Sequence, residues 1–134
     1  MDVCECGDKL TIRRETKGRI PTLPFRELKN EILGKEYELS LVFPTQKLSA
    51  ELHKQWKGKE GPADILSFPL DEESGEMFIT LSKARSEAKR YGHSYQEHLL
   101  FLFIHGCLHL KGMDHGAKME KEEDRYFSRF RGNV

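Results

Sequence analysis

The run from His105 to His115 reads HGCLHLKGMDH, and its histidines have a spacing that can bring them together. If the run begins on a helix, His105 and His109 lie one turn apart on one face, with about 6 Å between their Cβ atoms. Gly112 can end that helix, because glycine adopts the left-handed conformation at little cost, and His115 can then turn back as a third ligand. Three neutral imidazoles are a typical ligand set of a catalytic zinc, with the fourth position open to water. The spacing therefore predicts one Zn²⁺ bound by these three histidines.

The same spacing, HxxxHxxGxxH, occurs in zinc proteases as HExxHxxGxxH. Gly106 stands where those enzymes have the glutamate that acts as general base. The spacing thus supports a metal site, whereas the missing carboxylate argues against peptide hydrolysis by the protease mechanism. A zinc peptidase-like hydrolase stays open as an alternative function.

A zinc ion with three neutral ligands keeps its double positive charge, so it can activate water and polarise a phosphoryl oxygen. A nearby lysine would neutralise charge that develops on the phosphate, which suits phosphodiester cleavage. Asp114, next to His115, is a candidate general base, although support of the turn or of a histidine N–H is its favoured role. Glu76 is a more remote candidate for the base.

Length and composition indicate one soluble globular domain, spanning residues 1–134, with a real hydrophobic core. Lysine and arginine number 22 and acidic residues number 22, so the net charge of zero does not favour nucleic-acid binding. Local basic patches can still bind RNA, although most such clusters are solvated faces. Three clusters stand out: Arg13, Arg14, Lys17 and Arg19; Lys54, Lys57 and Lys59; and Lys83, Arg85, Lys89 and Arg90.

Three cysteines are an odd number and show no disulfide pattern, which fits a reducing compartment. Cys4 and Cys6 form a CxC that is weak evidence for metal binding, and a frayed terminal segment is the favoured interpretation. Cys107 should face away from the metal and pack in the core. The first residues do not resemble a secretory signal, and the apolar run 99–104 is too short to cross a membrane, so we expect a cytoplasmic protein.

The pattern of elements predicts an α/β (α+β) fold: a small mixed sheet of about four strands packed with about five helices. The metal site is expected at the end of the central helix, which is apolar almost all round. Thr45, Ser82 and Ser94 are predicted helix N-caps. Trp56 and Phe68 are expected to pack in the core, although both can stack a base. Strands are predicted at 10–14, 37–43, 65–70 and 76–81, and helices at 22–33, 45–56, 82–92, 94–110 and 118–130.

The histidine run resembles the HGxLHLxGYDH signature of the YbeY family of bacterial zinc-dependent rRNA maturation endoribonucleases. Upstream, KGKEGPADILSFP is similar to the family's basic segment and its PTDVLSFP motif. Gly75 and Glu76 resemble the family's GDI strand start, and Met119 and Glu123 fall where the family has a Met and a Glu. The matches keep the family's order over about residues 37–127.

The resemblance implies a zinc-dependent, single-strand-specific endoribonuclease in rRNA maturation and ribosome quality control. Its implied partners are single-stranded rRNA and ribosomal components, with no membrane and no DNA. His105, His109 and His115 would bind the zinc by motif correspondence, and Lys57 would replace the family's basic site arginine. Lys57 keeps the charge but not the bidentate fork. Other departures are Ala63 for Thr, Glu76 for Asp and Met113 for Tyr.

A third hypothesis is a non-catalytic, ribosome-binding metalloprotein whose metal is structural. A fourth protein ligand would favour that closed site, and an open coordination position would favour catalysis. The other histidines, His53, His93 and His98, are expected at surface or cap positions, with a weak site role conceivable for His53.

Overall fold

The computed structural model describes residues 2–5 and 9–133 of the chain. It contains a mixed sheet with five helices, so the predicted fold class and layer arrangement are confirmed. The strands are β1 Asp2–Glu5, β2 Leu10–Arg14, β3 Glu38–Phe43, β4 Ile65–Asp71 and β5 Ser74–Ile79. The helices are α1 Phe25–Leu33, α2 Gln46–Lys57, α3 Leu81–Ala88, α4 Tyr95–Leu110 and α5 Ala117–Phe130, with 3₁₀ turns at Lys89–Tyr91 and Arg131–Asn133.

The sheet has the strand order β1-β2-β3-β5-β4. Strand β3 is parallel to both β2 and β5, while β1 and β4 run antiparallel to their neighbours at the two edges. Strand β1 was not expected, because its segment was interpreted as frayed. Cys4 lies in this strand, whereas Cys6 lies outside the described residues.

The ends of the helices largely follow local capping chemistry. The Thr45 hydroxyl accepts a hydrogen bond from the Leu48 amide at 3.1 Å, and Ser94 forms a reciprocal capping box with Glu97. The predicted cap at Ser82 is wrong, because α3 already begins at Leu81. The preceding residue, Thr80, donates its hydroxyl to Ser49 Oγ at 2.7 Å, so a tertiary contact replaces the cap.

Helix α4 is the buried central helix, as its apolar sequence predicts. Leu99, Phe103 and Cys107 are completely buried, and burial raises the pKa of the Cys107 thiol well above its usual range. A smaller cluster built on Val42, Leu66 and Phe78 packs with side chains of α2. No helix among the described residues is both long and apolar enough to span a membrane.

Gly106 allows α4 to lie unusually close to the sheet. A Cβ at this position would lie 2.7 Å from Ile65 Cδ1 and 2.7 Å from Met77 Cε. The Ser67 hydroxyl also reaches the Gly106 carbonyl at 3.5 Å. The glycine that replaces the protease glutamate therefore has a packing role between the central helix and strands β4 and β5.

We expect Gly106→Leu to destabilise the fold by about 1–3 kcal/mol, because the added side chain overpacks a close helix–sheet contact. The matched substitution Gly132→Leu should change the free energy of unfolding by less than about 0.5 kcal/mol, since an added Cβ there meets no atom within 4 Å. Urea unfolding of both variants measures the difference. Equal stability of the two variants would show that α4 does not need this close approach.

Candidate metal centre

The end of α4 and the loop after it bring the three predicted histidines together. His105 and His109 lie on the last two turns of α4, which ends at Leu110. Gly112 has a φ of 104° and turns the chain back, with its amide bonded to the His109 carbonyl at 2.9 Å. His115 then approaches the helix from the loop, so the predicted exit through glycine is confirmed.

The three imidazoles form a compact group. One ligand atom from each of His105, His109 and His115 lies within 4.8 Å of the others, and the ring centroids are 4.6–5.1 Å apart. The Nε2 atoms of His105 and His109 are 3.1 Å apart. Two nitrogens bound tetrahedrally at 2.0–2.1 Å from one zinc would be separated by about 3.3 Å. The group could therefore hold a metal ion, and its all-imidazole chemistry suits a late divalent metal.

Hydrogen bonds at the other ring nitrogens set which atoms face the shared position. His105 Nδ1 lies 2.7 Å from Glu123 Oε2, and His109 Nδ1 lies 3.1 Å from the Met113 carbonyl oxygen. A carbonyl or carboxylate oxygen accepts the Nδ1 proton, so each Nε2 keeps its lone pair. Burial, followed by the neighbouring His105 and His115, lowers the pKa of His109, which favours the neutral ring that a metal ligand requires.

The histidines lie on a cleft of about 890 Å³ that follows the edge strand β4. His105 and His109 are half-buried, while His115 is exposed at the surface of the loop. The end of α2 and the loop that follows it also line this cleft. These segments contribute His53, Lys57 and Lys59 to the lining, so two cations share the cleft with the three imidazoles and with acidic side chains such as Glu120.

The candidate catalytic side chains have different surroundings. Lys57 and Asp114 both line the cleft and are exposed. Among the described residues, Asp114 has no hydrogen bond or ion pair. The structure therefore does not show Asp114 supporting a histidine N–H, and Glu123 and the Met113 carbonyl contact the Nδ1 atoms instead. Glu76 lies on β5, paired with Ser40 and Phe68, and is not among the residues that line the cleft.

The expected burial of one aromatic residue and the expected exposure of one histidine were wrong. Trp56 is 60% exposed, because α2 continues past the smaller core cluster; its ring lies 5.8 Å from that of the half-buried Phe68. His98 is 1% exposed instead of lying at the surface, and its Nδ1 is 3.1 Å from His93 Nδ1. Burial lowers the pKa of both His93 and His98. His53 keeps a surface position, with Nδ1 2.9 Å from the Gly61 carbonyl.

Glu123 belongs to the candidate site through its contact with His105, and the residue pattern alone did not reveal it. Its side chain comes from α5, 18 positions beyond His105, and only 6% of the residue is exposed. Helical spacing within HGCLHLKGMDH cannot identify a partner on another helix. The available signal was its agreement with the family's glutamate after the third histidine.

The family described as Endoribonuclease YbeY has a sequence model that matches residues 8–131 of this chain. The chain is 32% identical to the Endoribonuclease YbeY of Halalkalibacterium halodurans, over 96% of this chain and 89% of that protein. It is 38% identical to the Persephonella marina protein of the same name, over 68% of this chain and 64% of that protein. A solution structure of a Thermotoga maritima protein has a TM-score of 0.65 and 25% identity, covering 92% and 90% of the two chains.

We expect Glu123→Gln to weaken zinc binding by about 10-fold to 100-fold, because the carboxylate that fixes the His105 ring is lost. Glu120→Gln is the matched control, since Glu120 lies on the same helix and lines the cleft but is exposed. Competition with a chromophoric zinc chelator measures both affinities. Equal zinc affinities of the two variants would show that Glu123 does not support the metal site.

Proposed function

The chain belongs to the endoribonuclease YbeY family, and we propose that it is a zinc-dependent, single-strand-specific endoribonuclease. We propose further that it acts on rRNA, with ribosomal components, in rRNA maturation and ribosome quality control in the cytoplasm. The observation that carries the proposal is the convergence of three imidazoles in a cleft that Lys57 and Lys59 also line. That arrangement suits a phosphodiester, because its anionic phosphate needs both an electrophile and neutralising charge.

His105, His109 and His115 would hold the zinc through their ring nitrogens, with Glu123 and the Met113 carbonyl orienting two of the rings. When bound, zinc supplies a Lewis acid and a means of activating water at neutral pH. Within the described residues, the ligand group comprises three histidines and no cysteine or carboxylate. A three-ligand set of this kind is typical of catalytic sites, whereas structural zinc sites are closed by four protein ligands.

Lys57 is the proposed phosphate-binding residue of the reaction. It ends α2 and lines the cleft, and no carboxylate in the described part of the chain pairs with it. An ammonium group in the same cleft as the imidazoles can neutralise charge as it develops on the phosphate in the transition state. The exposed Trp56 ring, one residue earlier, offers a surface on which an unpaired base can stack.

Asp114 is the proposed general base. Its carboxylate is exposed on the cleft, next to His115 in the chain, and is free of other described partners. It can therefore accept a proton from an attacking hydroxyl group without first breaking a bond of its own. A carboxylate at position 106 is not required for this chemistry, and Gly106 instead packs against the sheet.

His109→Ala should reduce cleavage of single-stranded rRNA fragments by at least about 100-fold, because loss of a ligand removes several kcal/mol of transition-state stabilisation. Denaturing gels after incubation with zinc measure the cleavage, and circular dichroism verifies the fold. Casein in a parallel assay should stay intact, since Gly106 supplies no protease-type base. Full retention of RNA cleavage in the folded variant would end the proposal.

Lys57→Ala should lower kcat/KM for single-stranded RNA by about 10-fold, because the transition state loses one charged contact. Lys54→Ala is the matched control on the same helix: Lys54 pairs with Glu60 at 3.6 Å and does not line the cleft. Lys57→Arg should retain most of the activity, since the positive charge is kept. Equal kinetics for Lys57→Ala and Lys54→Ala would exclude the proposed phosphate contact.

A further inference from the structure

A second concave surface of about 750 Å³ lies between the loop after β2 and helix α3, and we name it the basic pocket. Its charged residues are Lys17 and Arg19 from the loop, and Arg85 and Lys89 from the α3 side. These four cations come from two clusters that are separated by more than 60 positions in the sequence. The fold has therefore combined two basic segments into one surface.

The basic pocket contains positive charge that the protein does not neutralise. All four cations are exposed, none has an ion pair in the described part of the chain, and none of the pocket's lining residues is acidic. The acidic residue Glu87 of α3 pairs with Lys83 instead, at 3.5 Å. Because the whole chain has a net charge of zero, this local excess is not the consequence of a basic composition.

The loop wall of the basic pocket is held in place by its backbone. The Arg14 guanidinium donates hydrogen bonds to the carbonyl oxygens of Thr16 and Gly18, and the Tyr95 hydroxyl donates to the Arg19 carbonyl at 2.6 Å. Gly18 packs so closely on α3 that an added Cβ would lie 3.0 Å from Leu81 Cδ1. The loop cations therefore extend from a fixed backbone.

A contact with Tyr95 also restricts a cation on the α3 wall of the basic pocket. The Arg85 guanidinium carbon lies 4.6 Å from the centre of the Tyr95 ring, in a cation–π contact that restricts its position. Tyr95 thus supports both walls, through its ring on one side and its hydroxyl on the other. Side chains ordered before a ligand arrives lose less conformational freedom on binding.

The basic pocket adjoins the cleft of the metal centre. Lys89 lines the pocket and Tyr91 lines the cleft, and both belong to one 3₁₀ turn, Lys89–Tyr91. With a rise of about 2 Å per residue, the two positions are about 4 Å apart along the axis of that turn. One short turn thus links the two surfaces, and a strand that extends beyond Tyr91 has only a short way to the cations of the pocket.

We propose that the basic pocket binds backbone phosphates of the same single-stranded RNA whose scissile bond lies at the metal centre. The proposal rests on the proposed function. It adds a second contact region, which only a sufficiently long strand can reach. The contact carries no sequence information, because lysine and arginine interact with phosphates and not with base edges. It would raise affinity for long single strands while leaving very short ones unaffected.

Binding of nuclease-resistant 2′-O-methyl oligonucleotides, measured by fluorescence anisotropy over a range of salt concentrations, tests the proposal. One oligonucleotide has about 16 nucleotides and can reach both sites, and the other has about four and occupies the cleft alone. Arg85→Ala/Lys89→Ala should lower affinity for the long oligonucleotide by about 10-fold. It should also reduce the slope of log K against log salt by about 1.4, the value for two phosphate contacts on a single strand.

The matched control is Arg26→Ala/Lys47→Ala, which removes one arginine and one lysine that line neither surface. This control should bind both oligonucleotides like the unaltered protein. Lys17→Ala/Arg19→Ala removes the opposite wall and should reproduce the loss, which keeps the test decisive if the α3 variant does not fold. The ratio of the affinity for the long oligonucleotide to that for the short one should fall in the two pocket variants and stay unchanged in the control.

An unchanged affinity for the long oligonucleotide in the folded pocket variants would overturn the proposal. An equal loss in the control would also overturn it, because the effect would then follow from total charge. Inorganic phosphate that binds the pocket without weakening long-RNA binding would assign the site to a small anion instead. If the pocket proposal fails but the unaltered protein cuts short RNA, the proposed function stands. If the unaltered protein neither binds nor cuts any RNA, the proposed function and the pocket proposal both fail.

Discussion

The orientation of two imidazole rings is the constraint on which the site depends. A histidine can present either ring nitrogen, and only a fixed tautomer gives a dependable metal ligand. Here the choice is made by the Glu123 carboxylate at His105 and the Met113 carbonyl at His109. The first partner requires α5 to pack on α4, and the second requires the chain to turn at Gly112. The geometry of the candidate metal centre is thus a property of the tertiary fold and not of the motif alone.

The same constraint explains why the central helix must be apolar nearly all round. Helix α4 is covered by the sheet on one side and by helices α1, α3 and α5 on others, so it cannot shift without disturbing several contacts. Gly106 permits the close approach to β4, and β4 forms the floor of the cleft. Packing of α4 therefore fixes where His105 and His109 lie relative to β4.

Sequence patterns predicted the features that depend on residues close together in the chain. The spacing of His105 and His109, the exit at Gly112 and the caps at Thr45 and Ser94 involve residues a few positions apart. The exposure of Trp56, the role of Glu123 and the burial of His98 depend on where distant elements end and pack. No periodicity in a single helix contains that information, which is why these assignments required the structure.

The distribution of charge follows the same logic. A chain with 22 basic and 22 acidic residues has no net attraction for RNA, so any steering must come from local separation of charge. Acidic side chains pair with Arg125, Arg129 and Arg131 at the C-terminal end, whereas the lysines and arginines that line the cleft and the basic pocket have no such partners among the described residues. Topology brings these unpaired cations from segments far apart in the sequence onto neighbouring surfaces. A neutral protein can in this way present a local positive surface, because the lining of the basic pocket contains four cations and no acidic residue.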